Sequence, residues 1–229
     1  MTTTPRSTKT ALNEQFARIG KALASPRRTE LLDLLAQGEH SVETLAAESD
    51  MSVTLTSAHL QALRGARLVE TRRAGPRVFY RLAGDDVFEL LAAIRTVAHV
   101  RLVEVELLVR AYFGAPDELE PIGRDELIAR ARAGDLVVLD LRPRDEYAAG
   151  HIPGAISIPL DDLEEQLALL PPEAEIAAYC RGPYCVMAPR GIALLRRYGY
   201  HARRFEDGVG EWRLAGLPVA VGSDRGSWS

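Results

Sequence analysis

Cysteine is scarce in this 229-residue chain: only Cys180 and Cys185 occur, five apart in CRGPYC. A structural zinc ribbon or finger needs paired sets of thiolate or imidazole ligands, so that class is excluded and no metal site is expected. Long apolar runs are absent, and the N-terminal MTTTPRSTKT lacks the apolar core of a secretory signal. A cytoplasmic protein with no membrane partner is expected. Acid is missing locally. Between Leu55 and Gly84, Arg64, Arg67, Arg72, Arg73, Arg77 and Arg81 face a single acid, Glu70. The net charge of -4 conceals this, because residues 1–115 carry 15 Lys/Arg against 13 Asp/Glu (+2), and residues 116–229 carry 13 against 19 (-6). A basic stretch confined to one half of the chain suits a polyanionic partner.

Residues 1–13 are Thr-rich without apolar periodicity and are expected to form a flexible tail. From Phe16, apolar positions at helical spacing run through Ile19 and Leu23. Ser25-Pro26 then opens a second helix carrying Leu31, Leu32, Leu34 and Leu35. Ser41 and Ser52 are placed to cap two more helices, and Thr56, Leu60 and Leu63 share one face of the second. LVETRR-AGP-RVFYRL alternates apolar and polar residues about a Gly-Pro punctuator, the pattern of a β-hairpin. Helices followed by a basic hairpin describe a mainly α, winged helix-turn-helix domain over residues 14–84.

Residues 85–114 form one long periodic segment with too many apolar positions for a single wet face. A helix that pairs with its copy in a homodimer is expected. GAPDELEPIG breaks the periodicity, which places a linker at 115–122. Beyond it, LVVLDLR, AISIP, EIAAYC and HARRFED alternate with helical stretches, including one from about Leu160 to Leu170. The second domain, 123–222, is therefore expected to be α/β with a parallel sheet, followed by a tail at 223–229.

In SVTLTSAHLQALR, the outward residues Val53, Thr54, Ser57 and Gln61 suit base edges in a major groove of double-stranded DNA. Arg64 at the helix end and the hairpin residues Arg72, Arg73 and Arg77 suit phosphates. The run ALASPRRTELLDLL, then LAAESDMSVTLTSAHLQALRGARLVETRRAGPRVFYRL, resembles the ArsR/SmtB family of transcriptional regulators across residues 14 to 112. The resemblance implies a homodimeric repressor whose recognition helix spans Ser52 to Arg64. Metal-sensing members carry two cysteines where this chain has Ser41 and Glu43 in EHSVETLA. The single His99 of the segment 86–113 likewise cannot supply the family's other metal site.

Cys180 ends a strand and is followed by the loop Arg181, Gly182, Pro183, Tyr184 and Cys185, then by a helix. Such a place gathers backbone N–H groups and the positive end of a helix dipole, which lowers a thiol pKa. Arg181 adds a cation beside the sulfur. The segments VLDLRPRDEYAAGHIPGAISIPL, YCRGPYC and FEDGVGEWRLAGLPV resemble the rhodanese, or sulfurtransferase, domain over residues 123–222. The resemblance implies that Cys180 accepts sulfane sulfur from a donor and passes it to a thiol acceptor, needing no cofactor. The loop from Arg181 to Cys185 would cradle the persulfide, and Asp140, Arg142, Glu146 and His151 would support it structurally. Rhodanese-fold phosphatases need an Arg six residues after the cysteine. Val186 stands there. Cys185 is either a thiol that attacks a modified Cys180 or a small side chain packed beneath the loop.

These features fit a regulator that senses reactive sulfur through Cys180. They also fit a sulfurtransferase that uses its helical domain to dimerise or to reach a target, or a scaffold without chemistry.

Overall fold

The computed structural model describes residues 5–113 and 119–227, and they divide into two compact units between Leu91 and Ala92. The helices of the first unit are α1 (Pro5–Leu23), α2 (Pro26–Leu35), α3 (Val42–Glu48) and α4 (Val53–Gly65), with β1 (His40–Ser41) between α2 and α3. The hairpin is β2 (Val69–Ala74) and β3 (Arg77–Leu82). Ser41 Oγ accepts from the Thr44 amide, and Ser52 Oγ accepts from the Leu55 amide, so both caps start their helices. Ser25 caps only through its carbonyl, which receives the Arg28 and Thr29 amides; Pro26 supplies the preset φ.

The three strands form an antiparallel sheet in the order β1-β3-β2, with Val69 opposite Leu82 and Ala74 opposite Arg77. Gly75 takes the left-handed φ of +59° that the two-residue turn requires. Leu31, Leu32, Leu45, Leu60 and Leu63 are fully buried and meet Tyr80, Val87 and Leu91 in one core. This is a winged helix-turn-helix unit.

Three expectations change here. Residues 5–13 are helical rather than a tail. Apolar periodicity reports a buried face, and α1 buries little before Ile19 and Ala22. The segment 85–114 is two helices, α5 (Asp85–Arg101) and α6 (Val103–Phe113), interrupted at Leu102 where Val97, Val100, Val103 and Val105 crowd β-branched residues together. Finally, the division between the units falls inside α5. Val87 and Leu91 belong to the first core, whereas Arg95 of α5 pairs with Glu211 and Phe113 of α6 lies beneath the Arg204 guanidinium. The first half of the expected linker at 115–122 lies outside the described residues, as do the ends of both expected tails, whereas Ile122 in its second half is buried and paired with Phe205.

The second unit continues with α7 (Arg124–Ala133), β4 (Val137–Asp140), α8 (Arg144–Ala149), β5 (Ile156–Ser157), β6 (Ile176–Tyr179), α9 (Met187–Arg197), β7 (Ala202–Arg204) and α10 (Val209–Leu214). Its four strands are parallel, in the order β5-β4-β6-β7. All four residues of β6 are buried, as a central parallel strand covered on both faces requires. Two apolar cores flank the sheet, one around Leu139, Leu141, Ile192 and Leu195, the other around Val138, Tyr179, Phe205 and Trp212. The helix expected from Leu160 to Leu170 is two single 3-10 turns, Leu160–Asp162 and Leu167–Leu169, because Pro159 and Pro171-Pro172 hem in a short acidic stretch. Residues 223–227 fold back rather than trail away: the Arg225 carbonyl accepts from the Gly154 amide at 2.6 Å.

Candidate functional site

In the first unit, α4 buries Thr56, Leu60 and Leu63 and turns Val53, Thr54 and Gln61 outward, with Ser57 half-buried at the edge. Gln61 is not free to swing, since its Nε2 donates to Tyr80 Oη at 3.0 Å and ties α4 to the hairpin. Arg72 lies over the Phe79 ring and donates through Nε to both Glu39 oxygens at 3.1 Å. That bond holds the Glu39 carboxyl below its ordinary pKa range. A phosphate contact from Arg72 therefore first requires breaking this pair. Arg73 and Arg77, at the hairpin tip, and Arg64, in the last turn of α4, are exposed without an ion-pair partner among the described residues. Arg81 is engaged by Glu70 at 2.7 Å.

In the second unit, β6 ends at Tyr179, and Cys180 begins the loop that leads to α9. The residue is 2 % exposed, packed in the core with Leu141, Ala188 and Ile192. The Ala188 amide donates to Sγ at 3.4 Å, and the Gly182 amide points at the same atom. Sγ in turn donates to the Cys185 carbonyl at 3.6 Å. The amides of Met187 and Arg181 face the Cys185 sulfur, and the two thiols lie close enough to influence each other's ionisation. The loop is closed by a turn from the Gly182 carbonyl to the Cys185 amide.

The sequence pointed to Cys180 as the acidic thiol, but the lowered value belongs to Cys185. Burial pushes Cys180 well above the ordinary thiol pKa, outweighing its two amides. The hydrogen bond from Cys180, then the Met187 and Arg181 amides, bring Cys185 down to about 7. Arg181 does not reach the sulfur as a fork of donors. Its Nε is shared by the two Glu146 oxygens at 3.0 and 3.1 Å, so its charge acts from a distance. One consequence is measurable. Iodoacetamide is expected to modify Cys185 before Cys180, with a rate rising through a midpoint near pH 7, where the Cys185 thiolate forms. Modification of Cys180 first, or a midpoint at an ordinary thiol pKa, contradicts this arrangement.

Asp140, Arg142, Glu146 and His151 are all buried. Asp140 Oδ2 accepts from Arg142 Nη2 at 2.6 Å and from Tyr179 Oη at 2.5 Å, and Arg142 also donates to the Gly150 carbonyl at 2.7 Å. His151 stacks on Tyr147, with ring centroids 3.7 Å apart, and its Nδ1 lies 2.9 Å from the Tyr147 carbonyl. Loop residues Gly182, Pro183 and Tyr184 range from buried to exposed.

Sequence reasoning missed three supports of this loop. Arg204 is buried and donates to the Pro183 carbonyl at 2.6 Å. Glu211 accepts from the Gly208 amide at 3.0 Å and lies against Gly182. Gly208 itself packs on the Arg181 peptide, where a Cβ would sit 2.5 Å from the carbonyl oxygen. All three lie in HARRFEDGVGEW, where the paired glycines Gly208 and Gly210 were the available signal.

Residues 123–215 match the rhodanese-like domain family, and residues 25–71 match the bacterial regulatory proteins of the arsR family. HTH-type transcriptional regulator Rv0324 of Mycobacterium tuberculosis is 49% identical over 218 residues, 95% of this chain and 96% of that one. Thiosulfate:glutathione sulfurtransferase of Homo sapiens is 33% identical over 112 residues, covering 43% of this chain and 94% of its own length. The solution structure of the homodimeric winged helix-turn-helix DNA-binding domain Mb0332 from Mycobacterium bovis shares 50% identity, covering 44% of this chain and 93% of that fragment at a TM-score of 0.41. With Rv0324 matched almost from end to end, the chain belongs to the ArsR family of HTH-type transcriptional regulators and carries a rhodanese-like domain as its C-terminal part.

Proposed function

We propose that this regulator is a homodimeric repressor whose DNA affinity responds to sulfane sulfur taken up at Cys180. The observation that carries the reading is the loop after β6, where amides from Gly182 and Ala188 meet one sulfur and amides from Arg181 and Met187 meet the other. Such a cradle stabilises an anionic sulfur adduct. α4 enters the major groove with Val53, Thr54, Ser57 and Gln61, while Arg64, Arg73 and Arg77 reach phosphates, joined by Arg72 once Glu39 releases it. Exposed Ile94 and Val97 on α5, Leu102 at the break and Leu107 and Leu108 on α6 supply the apolar surface for a second copy. No described helix is long and apolar enough to cross a membrane.

The test is operator binding across a salt series, before and after thiosulfate or a persulfide donor, in wild type and Cys180→Ser. Donor treatment is expected to change wild-type affinity by roughly 5- to 150-fold, the usual range of allosteric coupling, and to leave Cys180→Ser unchanged. Arg73→Ala and Arg77→Ala together remove two phosphate contacts from each protomer and are expected to reduce the salt slope of the dimer by about 4. Equal affinity in every sulfur state rejects sensing, and an unchanged slope rejects the wing contacts.

A second reading, a sulfurtransferase enzyme, is favoured by the 33% identity to a thiosulfate:glutathione sulfurtransferase. Steady thiocyanate formation from thiosulfate and cyanide, absent in Cys180→Ser, supports it.

A further inference from the structure

We propose that Cys185 is an acceptor built into the chain: its sulfur attacks Sγ of a Cys180 persulfide, expels the sulfane sulfur as hydrosulfide and closes a Cys180–Cys185 disulfide. This rests on the reading that Cys180 takes up sulfane sulfur.

The geometry supplies each requirement of that displacement. The two thiols belong to one short loop, and Cys180 Sγ reaches the Cys185 carbonyl at 3.6 Å. Cys185 is the less buried of the two and packs at the margin of the same apolar core. Four amides, of Arg181, Gly182, Met187 and Ala188, can follow the negative charge from one sulfur to the other. With its pKa near 7, Cys185 is also close to the optimum for an attacking thiol at neutral pH.

The proton and electron count closes without an outside oxidant. The displacement starts from Cys180 as the thiol and Cys185 as the thiolate. As Cys180 attacks the outer sulfur of thiosulfate, its proton passes to Cys185, the S–S bond of thiosulfate breaks and sulfite leaves, giving Cys180–S–S⁻ and Cys185–SH. The proton then returns to the terminal sulfur, and the Cys185 thiolate bonds to Cys180 Sγ as HS⁻ departs. The sulfane sulfur gains two electrons, and the two cysteines together lose them in forming the disulfide. The rate of this internal step sets how long the persulfide signal lasts, and an external thiol then restores the reduced pair.

The experiment is a single exposure of the reduced full-length protein to thiosulfate without any thiol acceptor. It is followed by intact mass under denaturing acid and by assay of sulfite and sulfide. Wild type is expected to yield one sulfite and one sulfide per chain and to end about 2 Da lighter as an uncrosslinked monomer. Cys185→Ser and Cys185→Ala are expected to yield sulfite but no sulfide and to stay about 32 Da heavier. Wild type that holds the added sulfur as long as the two variants do, or that links two chains instead, overturns the inference and leaves the Cys180 persulfide intact. No sulfite and no added mass in any of the proteins overturns the persulfide reading, and this inference with it.

Discussion

Arg142→Met is expected to destabilise the second unit by about 3–5 kcal/mol, the usual cost of removing one partner of a buried ion pair. Both side chains of the Arg142–Asp140 pair are fully buried. The substitution leaves the Asp140 carboxylate in the interior with only Tyr179 Oη and the Arg142 backbone amide as donors, and strips the Gly150 carbonyl of its partner. Methionine approximates the length of the lost chain, so the effect reports charge and hydrogen bonding more than volume. Arg142→Lys retains the charge but not the planar fork that meets Asp140 through Nε and Nη2, and an intermediate loss is expected. Urea denaturation followed by Trp212 fluorescence reads both. A loss below about 1 kcal/mol for Arg142→Met would show that the pair is not a structural keystone of the domain.

Gly208→Ala is the second large effect, and its cause is steric rather than conformational. Gly208 has an extended backbone, φ -94° and ψ -175°, open to any residue. An added Cβ, however, would lie 2.5 Å from the Arg181 carbonyl oxygen, 2.6 Å from its carbon and 2.9 Å from the Gly182 nitrogen. These are backbone atoms that have no rotamer to escape into, so the loop between Cys180 and Cys185 must move. Overpacking of this kind costs about 1–3 kcal/mol. The more telling readout is the thiol pair. With the Arg181 and Gly182 amides displaced, the alkylation midpoint of Cys185 is expected to rise from about 7 toward the ordinary thiol value, and Cys180 is expected to become easier to modify. A variant with the wild-type midpoint and reactivity order would show that this glycine does not govern the site.

The helix caps and faces were legible because they are local. Ser41 and Ser52 needed only a neighbouring amide, and the spacing of Thr56, Leu60 and Leu63 needed only the pitch of α4. The hairpin was legible from alternation about Gly75-Pro76. The helix at residues 5–13 was not, because an exposed helix has no apolar stripe to announce it. Nor was the break at Leu102, which one apolar period disguised. The motif VLDLRPRDEYAAGHIPGAISIPL named Asp140, Arg142, Glu146 and His151 as structural partners, and all four lie in the interior. Arg204 and Glu211 stayed hidden, since each acts on the loop from an element more than 20 residues away.

By itself, then, the sequence determined two units of different class, the basic hairpin and the pair of cysteines in one loop. Periodicity, turn chemistry and motif spacing are properties of neighbouring residues. Tertiary structure alone decided where charge and protons lie. It set Arg72 on Glu39 and Arg181 on Glu146, leaving Arg73 and Arg77 without an ion-pair partner among the described residues. It also buried Cys180 deeply enough that desolvation outweighs the loop amides, which moves the acidic thiol to Cys185. Desolvation depends on what the rest of the chain packs around an atom, and no local pattern encodes that.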